Sequence, residues 1–362
     1  MKNCLTLVVF LVCLWCRCKA EDELLSVVEI FRHGDRTPAF FYPTDPYQDR
    51  KYWNDLEAGE LTEKGSQQLY NLGQQFKDRY SYFLGNAYNP EEIIVTSSHM
   101  SRTKNSAKSF MTGLYGGIEI PIKTETAVAN EIIICLKFDA LYKKSELTDP
   151  EIIDINENNK ELYEYLSNNT KLPIGGMFTA SGLFDTLTIE QDANLNMPEW
   201  TNSVMGETLR QVRQNAAKFF CYTKEQQKLG IGSLINRIIE HFDKIIEGKK
   251  EAKALIFSLH DLNILCFLQA FQYPEISQPA FASSVFFELR KSKTNGRYFV
   301  NTFYKPTVEQ PPISIAVAGC DVDCDLDNFK NIFREFRLSS GQWYSECYAF
   351  GVFDKLFPTK GR

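Results

Sequence analysis

The densest cluster of reactive side chains in the sequence is the run Arg32-His33-Gly34-Asp35-Arg36-Thr37-Pro38. Two guanidinium groups flank an imidazole there, and Gly34 permits a tight backbone turn. A guanidinium presents a planar fork of donors that matches the oxygens of a phosphate group. Arg102 would add a third fork. Three arginines around one histidine indicate a site for a phosphate dianion, where they would also stabilise a phosphoryl group during its transfer.

Histidine and aspartate supply the other parts of a phosphoryl-transfer reaction. The neutral imidazole of His33 can attack phosphorus without a separate base, and the N–P bond that forms is labile enough for water to cleave. Asp261 is the candidate acid that protonates the leaving alkoxide, and His260 would donate a further hydrogen bond to the phosphate. A carboxylic acid donates only while it is protonated, so we expect activity to favour acidic pH unless the site raises that pKa.

These residues follow three predicted β-strands. The apolar residues 24–31 end at Arg32, residues 92–96 precede the loop that leads to Arg102, and residues 254–258 end at His260. The ligand crevice of a parallel sheet lies beyond the carboxyl ends of its strands. The coincidence of three strand ends therefore predicts one shared site.

The connecting segments have helical patterns. A helix capped by Thr62 follows the first loop, and an apolar stripe over residues 231–246 ends near Gly248. Residues 284–290 and 297–304 flank a Thr-Asn-Gly turn and are typical of a hairpin.

This order of elements predicts an α/β fold, a doubly wound and mostly parallel sheet with a helical insertion domain. Residues 126–230 carry polar helical segments and few strand signals, so we assign them to a mainly helical cap. Residues 21–125 and 231–362 would form the catalytic core.

Residues 1–20 have the pattern of a secretory signal peptide. Lys2 precedes an apolar run over residues 5–15, and Ala20 offers a small residue for cleavage. The run is shorter than the roughly twenty residues of a membrane-spanning helix, and no later stretch approaches that length. We therefore expect no membrane partner. The net charge of −6 argues against nucleic acid as the main partner.

Six cysteines remain after the predicted signal peptide, which agrees with an oxidising compartment: Cys135, Cys221, Cys266, Cys320, Cys324 and Cys347. Six oxidised cysteines allow fifteen pairings, and the short loop from Cys320 to Cys324 could close on itself. As a zinc site this loop lacks a matching second ligand pair, so we expect neither a metal nor a cofactor. Asn168 begins a glycosylation sequon, which would make the exported chain a glycoprotein.

The run from Arg32 to Pro38, together with His260-Asp261, resembles the signature of the histidine acid phosphatases, within the phosphoglycerate-mutase-like superfamily. Met197-Pro198-Glu199-Trp200 is similar to an element of the prostatic and lysosomal branch, and Arg102-Thr103 resembles the end of the second arginine motif. The resemblance extends along most of the chain after the signal peptide.

The resemblance implies a role for each matching residue. His33 would be the phosphorylated nucleophile and Asp261 the proton donor, while the phosphate would be bound by Arg32, Arg36, Arg102 and His260. It further implies the disulfides Cys135–Cys347 and Cys320–Cys324, and a homodimer. The expected protein is a hydrolase of small phosphate monoesters that is secreted or lies in the lysosomal lumen.

Two departures from the family pattern have consequences. The stretch from Thr96 to Arg102 keeps the final arginine of the second motif but lacks its first arginine and both acids. Ser283 and Ser284 lie where a cysteine is expected, so the resemblance assigns no partner to Cys221 or Cys266, and the pairing of these two cysteines stays open.

Two alternatives therefore stay beside the phosphatase interpretation. One is a non-catalytic secreted protein that binds a small ligand in the same pocket, and the other is a phytase. His33 and Asp261 argue against the first alternative, because binding alone needs neither a nucleophile nor an acid.

Overall fold

The computed structural model describes residues 22–125 and 135–348. The predicted signal peptide lies outside the described residues. Within them the strands are β1 (Glu23–Arg32), β2 (Ile93–Ser97), β3 (Ile122–Thr124), β4 (Ala254–Leu259), β5 (Ser284–Lys291), β6 (Tyr298–Lys305), β7 (Ile313–Ile315) and β8 (Asp323–Asp325). The helices are α1 (Glu63–Leu84), α2 (Ser101–Tyr115), α3 (Leu136–Thr148), α4 (Pro150–Asn158), α5 (Lys160–Thr170), α6 (Met177–Asp192), α7 (Glu207–Phe220), α8 (Lys224–Ile246), α9 (Asp261–Ala270), α10 (Leu326–Phe333) and α11 (Ser340–Tyr348).

The strands form one sheet in the order β3-β2-β4-β1-β5-β6-β7, with β8 also paired to β6. The strands β3, β2, β4 and β1 pair in parallel. From β1 onwards the pairing is antiparallel, and it includes the predicted β5–β6 hairpin. The α/β prediction is confirmed, and the parallel half of this mixed sheet carries the three strand ends that were assigned to the site.

Helices cover both faces of the sheet, as a doubly wound fold requires. Successive side chains of a strand point to opposite faces. Accordingly, Val27 and Phe31 pack in the apolar cluster that contains residues of α1 and α2. Val28 and Ile30 pack in the second cluster, with residues of α8, α9 and α10. The two buried faces explain why β1 carries apolar residues on both of its faces.

Helices α3 to α7 follow one another in the middle of the chain, and we call them the helical segment. Residues of α4 to α7 form an apolar cluster of their own that includes Leu183, Leu187 and Leu209. Tyr42, from the loop after β1, is fully buried in the same cluster. The helical segment therefore lies against the loop that follows His33. Phe138 of α3 packs instead in the cluster that contains Val28 and Ile30 of β1. The division of the chain into a core and an insertion domain stays a prediction.

Three disulfides occur in the described residues. Cys135–Cys347 and Cys320–Cys324 confirm the pairs that the resemblance implies. Cys221 and Cys266, whose pairing the sequence left open, form the third disulfide. Cys221 directly follows α7 and Cys266 lies on α9, and these helices pack together, so the two Cα atoms lie 5.2 Å apart.

No helix among the described residues is long and apolar enough to cross a membrane.

Candidate active site

The ends of β1, β4 and β2 place the predicted residues at one edge of the sheet. Arg32 is level with Leu259 across the β1–β4 pair, and the backbone N–H of His33 donates to the Leu259 carbonyl at 3.0 Å. Ser97 is level with Ser258 across the β2–β4 pair. Contacts and electrostatic interactions join the six residues that the sequence singles out: Arg32, His33, Arg36, Arg102, His260 and Asp261.

The first turn of α1 holds the loop that carries His33. The Thr62 hydroxyl accepts from the Gly65 N–H at 3.0 Å and donates to Asp35 Oδ2 at 2.6 Å. A Cβ atom on Gly34 would lie 2.3 Å from the Gly65 carbonyl oxygen. Gly34 is thus required by this close packing, whereas the sequence suggested a need for a tight turn.

His33 is a buried and neutral imidazole. Its ring is 2% exposed, and Nδ1 lies 2.9 Å from the Gly34 carbonyl oxygen. Because a carbonyl only accepts, Nδ1 carries the hydrogen and the lone pair is on Nε2. Burial, and then the charge of Arg32, hold the pKa of His33 well below its usual value. The ring therefore keeps its nucleophilic lone pair under acidic conditions.

The three arginines present donors that protein groups leave unused. In the described part of the chain, the buried Nε atoms of Arg32, Arg36 and Arg102 have no hydrogen-bond partner. Arg32 is fixed by the Pro279 carbonyl at 2.6 Å and by the ring of Phe281, whose centroid lies 4.1 Å from its Cζ. Buried guanidinium donors without acceptors are expected where an anion binds.

The stretch that departs from the family pattern still lines the site. Ser98 Oγ lies 2.9 Å from His260 Nε2 and 2.8 Å from Thr103 Oγ1. Burial, and then the charge of Arg102, lower the pKa of His260 to about 3, so its ring is neutral. His99 is exposed, as predicted. Hydroxyl groups thus line a wall for which the family motif would supply acids.

Asp261 is paired with an arginine in the free protein. Its Oδ2 lies 3.0 Å from Arg32 Nη2 and accepts from Gln278 at 2.7 Å. Burial raises the pKa of Asp261, but Arg32 and then Arg36 outweigh this effect, and the pKa lies below its usual value. The helix N-cap residue is His260, and Asp261 begins α9. The predicted proton donor is therefore ionised before substrate binds.

The structure adds residues that the sequence did not reveal. Asp185 of α6 pairs with Arg36 through Oδ2 and Nη2 at 2.8 Å. Its Oδ1 lies 3.6 Å from Nη2 of Arg213, on α7. Phe281 lies against Arg32 and 5.8 Å from the His33 ring, centroid to centroid. None belongs to a local motif, and Asp185 is 149 positions from Arg36, so no sequence signal points to them.

Two clefts open onto the site. One, of about 290 Å³, is lined by Arg36, Phe40, Asp185, Asp261 and eleven further residues of α3, α6, α7, α9 and nearby loops. The other, of about 740 Å³, contains Arg32 and Phe281. Phe40, from the loop after β1, lines the smaller cleft, whereas Tyr42 of the same loop is buried.

His241 has the structural role that its position in an apolar stripe predicts. It is buried, and its Nε2 lies 2.9 Å from Ser26 Oγ. Within the described residues, no three histidine, cysteine, aspartate or glutamate side chains are grouped so that they could hold a metal ion.

Comparison with known proteins finds relatives whose sequences align with most of this chain. The family model for the histidine phosphatase superfamily (branch 2) matches residues 23–135. Venom acid phosphatase Acph-1 of Apis mellifera is 31% identical, over 87% of this chain and 85% of that protein. Prostatic acid phosphatase of Homo sapiens is 27% identical, over 93% of this chain and 92% of that protein.

Among solved structures, the apo form of Hafnia alvei phytase superposes with a TM-score of 0.67 over 89% of this chain and 99% of that chain. At 17% sequence identity this similarity shows the fold.

Proposed function

This chain belongs to the histidine phosphatase superfamily (branch 2) and is an acid phosphatase, and we propose that it works through a phosphohistidine at His33. The observation that carries the proposal is the environment of His33. Its buried ring is neutral, its Nδ1 is held by the Gly34 carbonyl, and it lies among arginines with unused donors. A nucleophile must keep its lone pair, and the phosphate that it attacks must be held by cations.

The reaction has two steps. The lone pair of His33 Nε2 forms a bond to phosphorus while the bond from phosphorus to the leaving oxygen breaks. Asp261 gives its proton to that oxygen, and the alcohol leaves. Water then attacks the phosphoryl group, returning a proton to Asp261 as the N–P bond breaks, and inorganic phosphate is released. Arg32, Arg36, Arg102 and His260 hold the phosphoryl oxygens throughout.

The proton on Asp261 must arrive with the substrate, because the Arg32–Asp261 pair keeps this carboxyl ionised in the free protein. A phosphate monoester carries one proton below its second pKa, which is near 6. When the arginines bind the phosphate, their charges lower its second pKa, while Asp261 loses Arg32 and becomes more basic. The proton then passes from the phosphate to Asp261. Activity should accordingly decline once the substrate is a dianion.

The experiment measures hydrolysis of an aryl phosphate from pH 4 to 8 with a chelator present. His33→Ala should lower kcat by about a thousandfold or more, because the covalent route is lost. His99→Ala, in an exposed histidine near the site, is the matched control and should keep wild-type activity. A second readout uses an aryl phosphate with a ³²P-labelled phosphoryl group. Because a phosphohistidine is hydrolysed in acid and survives in base, wild type quenched in base should retain the label on His33, and protein quenched in acid should not. Absence of turnover in the folded wild type would overturn the proposal in favour of the non-catalytic binding protein.

We propose the same class of substrate that the sequence predicts, small phosphate monoesters, and a secreted or lysosomal location. The three disulfides within the described residues fit an oxidising compartment. Asn168 is exposed near the end of α5, where a glycan could be attached. The homodimer stays a prediction.

A further inference from the structure

Asp185 lies on the side of the site from which the leaving group departs. It lines the 290 Å³ cleft together with Asp261, the proposed proton donor, and Arg36, a proposed phosphate ligand. Of the two clefts that open onto the site, only this one is lined by both Arg36 and Asp261, so a monoester that is held by Arg36 and protonated by Asp261 would place its leaving group here. The side chain of Asp185 is 22% exposed, so it can meet that group.

The charges along this cleft are balanced. Among the described residues that line it, the charged ones are Arg36, Arg213, Asp185 and Asp261. Arg36 and Arg213 both face the Asp185 carboxylate, at 2.8 and 3.6 Å. Arg213 is therefore the cation that could receive a second phosphate, and Asp185 already neutralises it.

We propose that Asp185 selects substrates by the charge of the leaving group. A leaving group with its own phosphate would bring at least one further negative charge next to a carboxylate and would find no uncompensated cation. A leaving group with a positive charge would gain from the same carboxylate. The favoured substrates are thus monoesters of uncharged or cationic alcohols, and polyphosphorylated substrates are disfavoured. This inference rests on the proposed function, because it assigns the cleft by the roles of Arg36 and Asp261.

The test uses three substrates that differ in leaving-group charge: propane-1,3-diol bisphosphate, propyl phosphate and phosphocholine. Asp185 also touches Arg36, so Asp185→Asn will change the affinity for every transferred phosphoryl group. Ratios of kcat/KM between substrates cancel that shared effect and isolate the leaving group.

In Asp185→Asn, we expect kcat/KM for the bisphosphate to rise about tenfold relative to propyl phosphate, and that for phosphocholine to fall about fivefold. Adding Arg213→Gln should abolish the rise, because it removes the cation that Asp185→Asn exposes. Asp154→Asn is the matched control. It removes the same charge from the helical segment, at an exposed side chain on α4 that lines neither cleft, and should leave both ratios unchanged.

Equal changes for all three substrates in Asp185→Asn would overturn the inference and leave Asp185 with a positioning role on Arg36. Loss of turnover in His33→Ala reports separately on the proposed function. Calorimetry with the three corresponding phosphonates, which cannot be hydrolysed, gives the same charge preference from binding alone. Failure of the phosphohistidine chemistry and failure of the charge selection are therefore distinguished.

Discussion

Helix α6 carries two buried or half-buried carboxyl groups in opposite electrostatic settings. Asp185 faces two arginines at the phosphate site. Glu190, five residues later, is fully buried beside Asp45. Within residues 22–125 and 135–348, no lysine or arginine forms an ion pair with Glu190 or with Asp45. Burial, and then Asp45, raise the pKa of Glu190 to about 9.

The difference shows that the surroundings, and not the residue type, decide whether a carboxyl group holds a charge or a proton. At the phosphate site the arginines keep Asp261 ionised until an anion competes for them. At the Asp45–Glu190 contact burial and the neighbouring Asp45 favour the protonated form of Glu190. One setting prepares the protein for a ligand, and the other maintains its structure.

The largest expected effect concerns the arginine-paired setting. Asp261→Asn cannot donate a proton, so kcat should fall by about a hundredfold to ten-thousandfold for propyl phosphate. The loss should be much smaller for 4-nitrophenyl phosphate, whose leaving group needs little protonation. Steady-state kinetics on both substrates makes the comparison.

An equal loss on both substrates would mean that Asp261 only positions Arg32 and donates no proton. Gln278→Leu is a useful companion, because it removes the other hydrogen bond to Asp261 Oδ2 and leaves the carboxyl in place. It should change kcat far less than Asp261→Asn and by a similar factor on both substrates.

Most residues of the phosphate site could be predicted from the sequence, because they lie at or near the ends of strands that a short apolar run identifies. Arg32 ends β1, His33 follows it and His260 follows β4, and parallel pairing brings these strand ends together. Asp185 and Phe281 could not be predicted. Asp185 reaches the site through the packing of α6, and Phe281 through the position of the loop between α9 and β5. The residues next to each of them in the sequence form no motif that would indicate a site.

The Cys221–Cys266 disulfide could not be predicted for the same reason. The absence of a cysteine near Ser283 left the pairing open, because it says nothing about a contact between α7 and α9. The contrast between Asp185 and Glu190 could not be predicted either. Asp45 and Glu190 come into contact only when the loop after β1 packs against α6.

The second largest effect concerns the disulfide Cys221–Cys266, which connects the end of α7 to α9. The Cys221–Cys266 bond closes a separation of 45 residues and ties the end of α7, which carries Arg213, to α9, which begins at Asp261. Replacing both cysteines by alanine should lower the free energy of unfolding by about 2–4 kcal/mol, because the unfolded chain gains freedom. Urea denaturation measures the change.

The matched control is the replacement of Cys320 and Cys324 by alanine, since that bond spans only four positions. Closing a short loop restricts the unfolded chain less, so about half the loss is expected. A larger loss from the short loop would show that loop closure is not what this disulfide contributes. The stabilisation by the Cys221–Cys266 bond could then not be explained by the connection that it makes between α7 and α9.

The smallest effect concerns the proton held by Glu190. A glutamate ordinarily loses its proton near pH 4.5, whereas burial keeps the proton on Glu190 in the folded protein until its raised pKa near 9. Between these values the folded state binds more protons than the unfolded state, so stability falls as pH rises. The stabilisation is complete below about pH 4.5 and is lost through about pH 9. We expect wild type to lose about 1–3 kcal/mol between pH 5 and pH 8 from this group.

Glu190→Gln is neutral at every pH and should remove this part of the pH dependence, as measured by urea denaturation at pH 5 and pH 8. Asp45, Tyr42 and Tyr47 are the other titratable groups beside it. Asp45 alone of these can take over some of the dependence, because the pKa values of both tyrosines are raised above 10. Asp192→Asn, an exposed carboxyl of the same helix, should keep the wild-type slope. A Glu190→Gln slope equal to that of wild type would mean that Glu190 is ionised in the folded protein, and the contrast between the two settings on α6 would disappear.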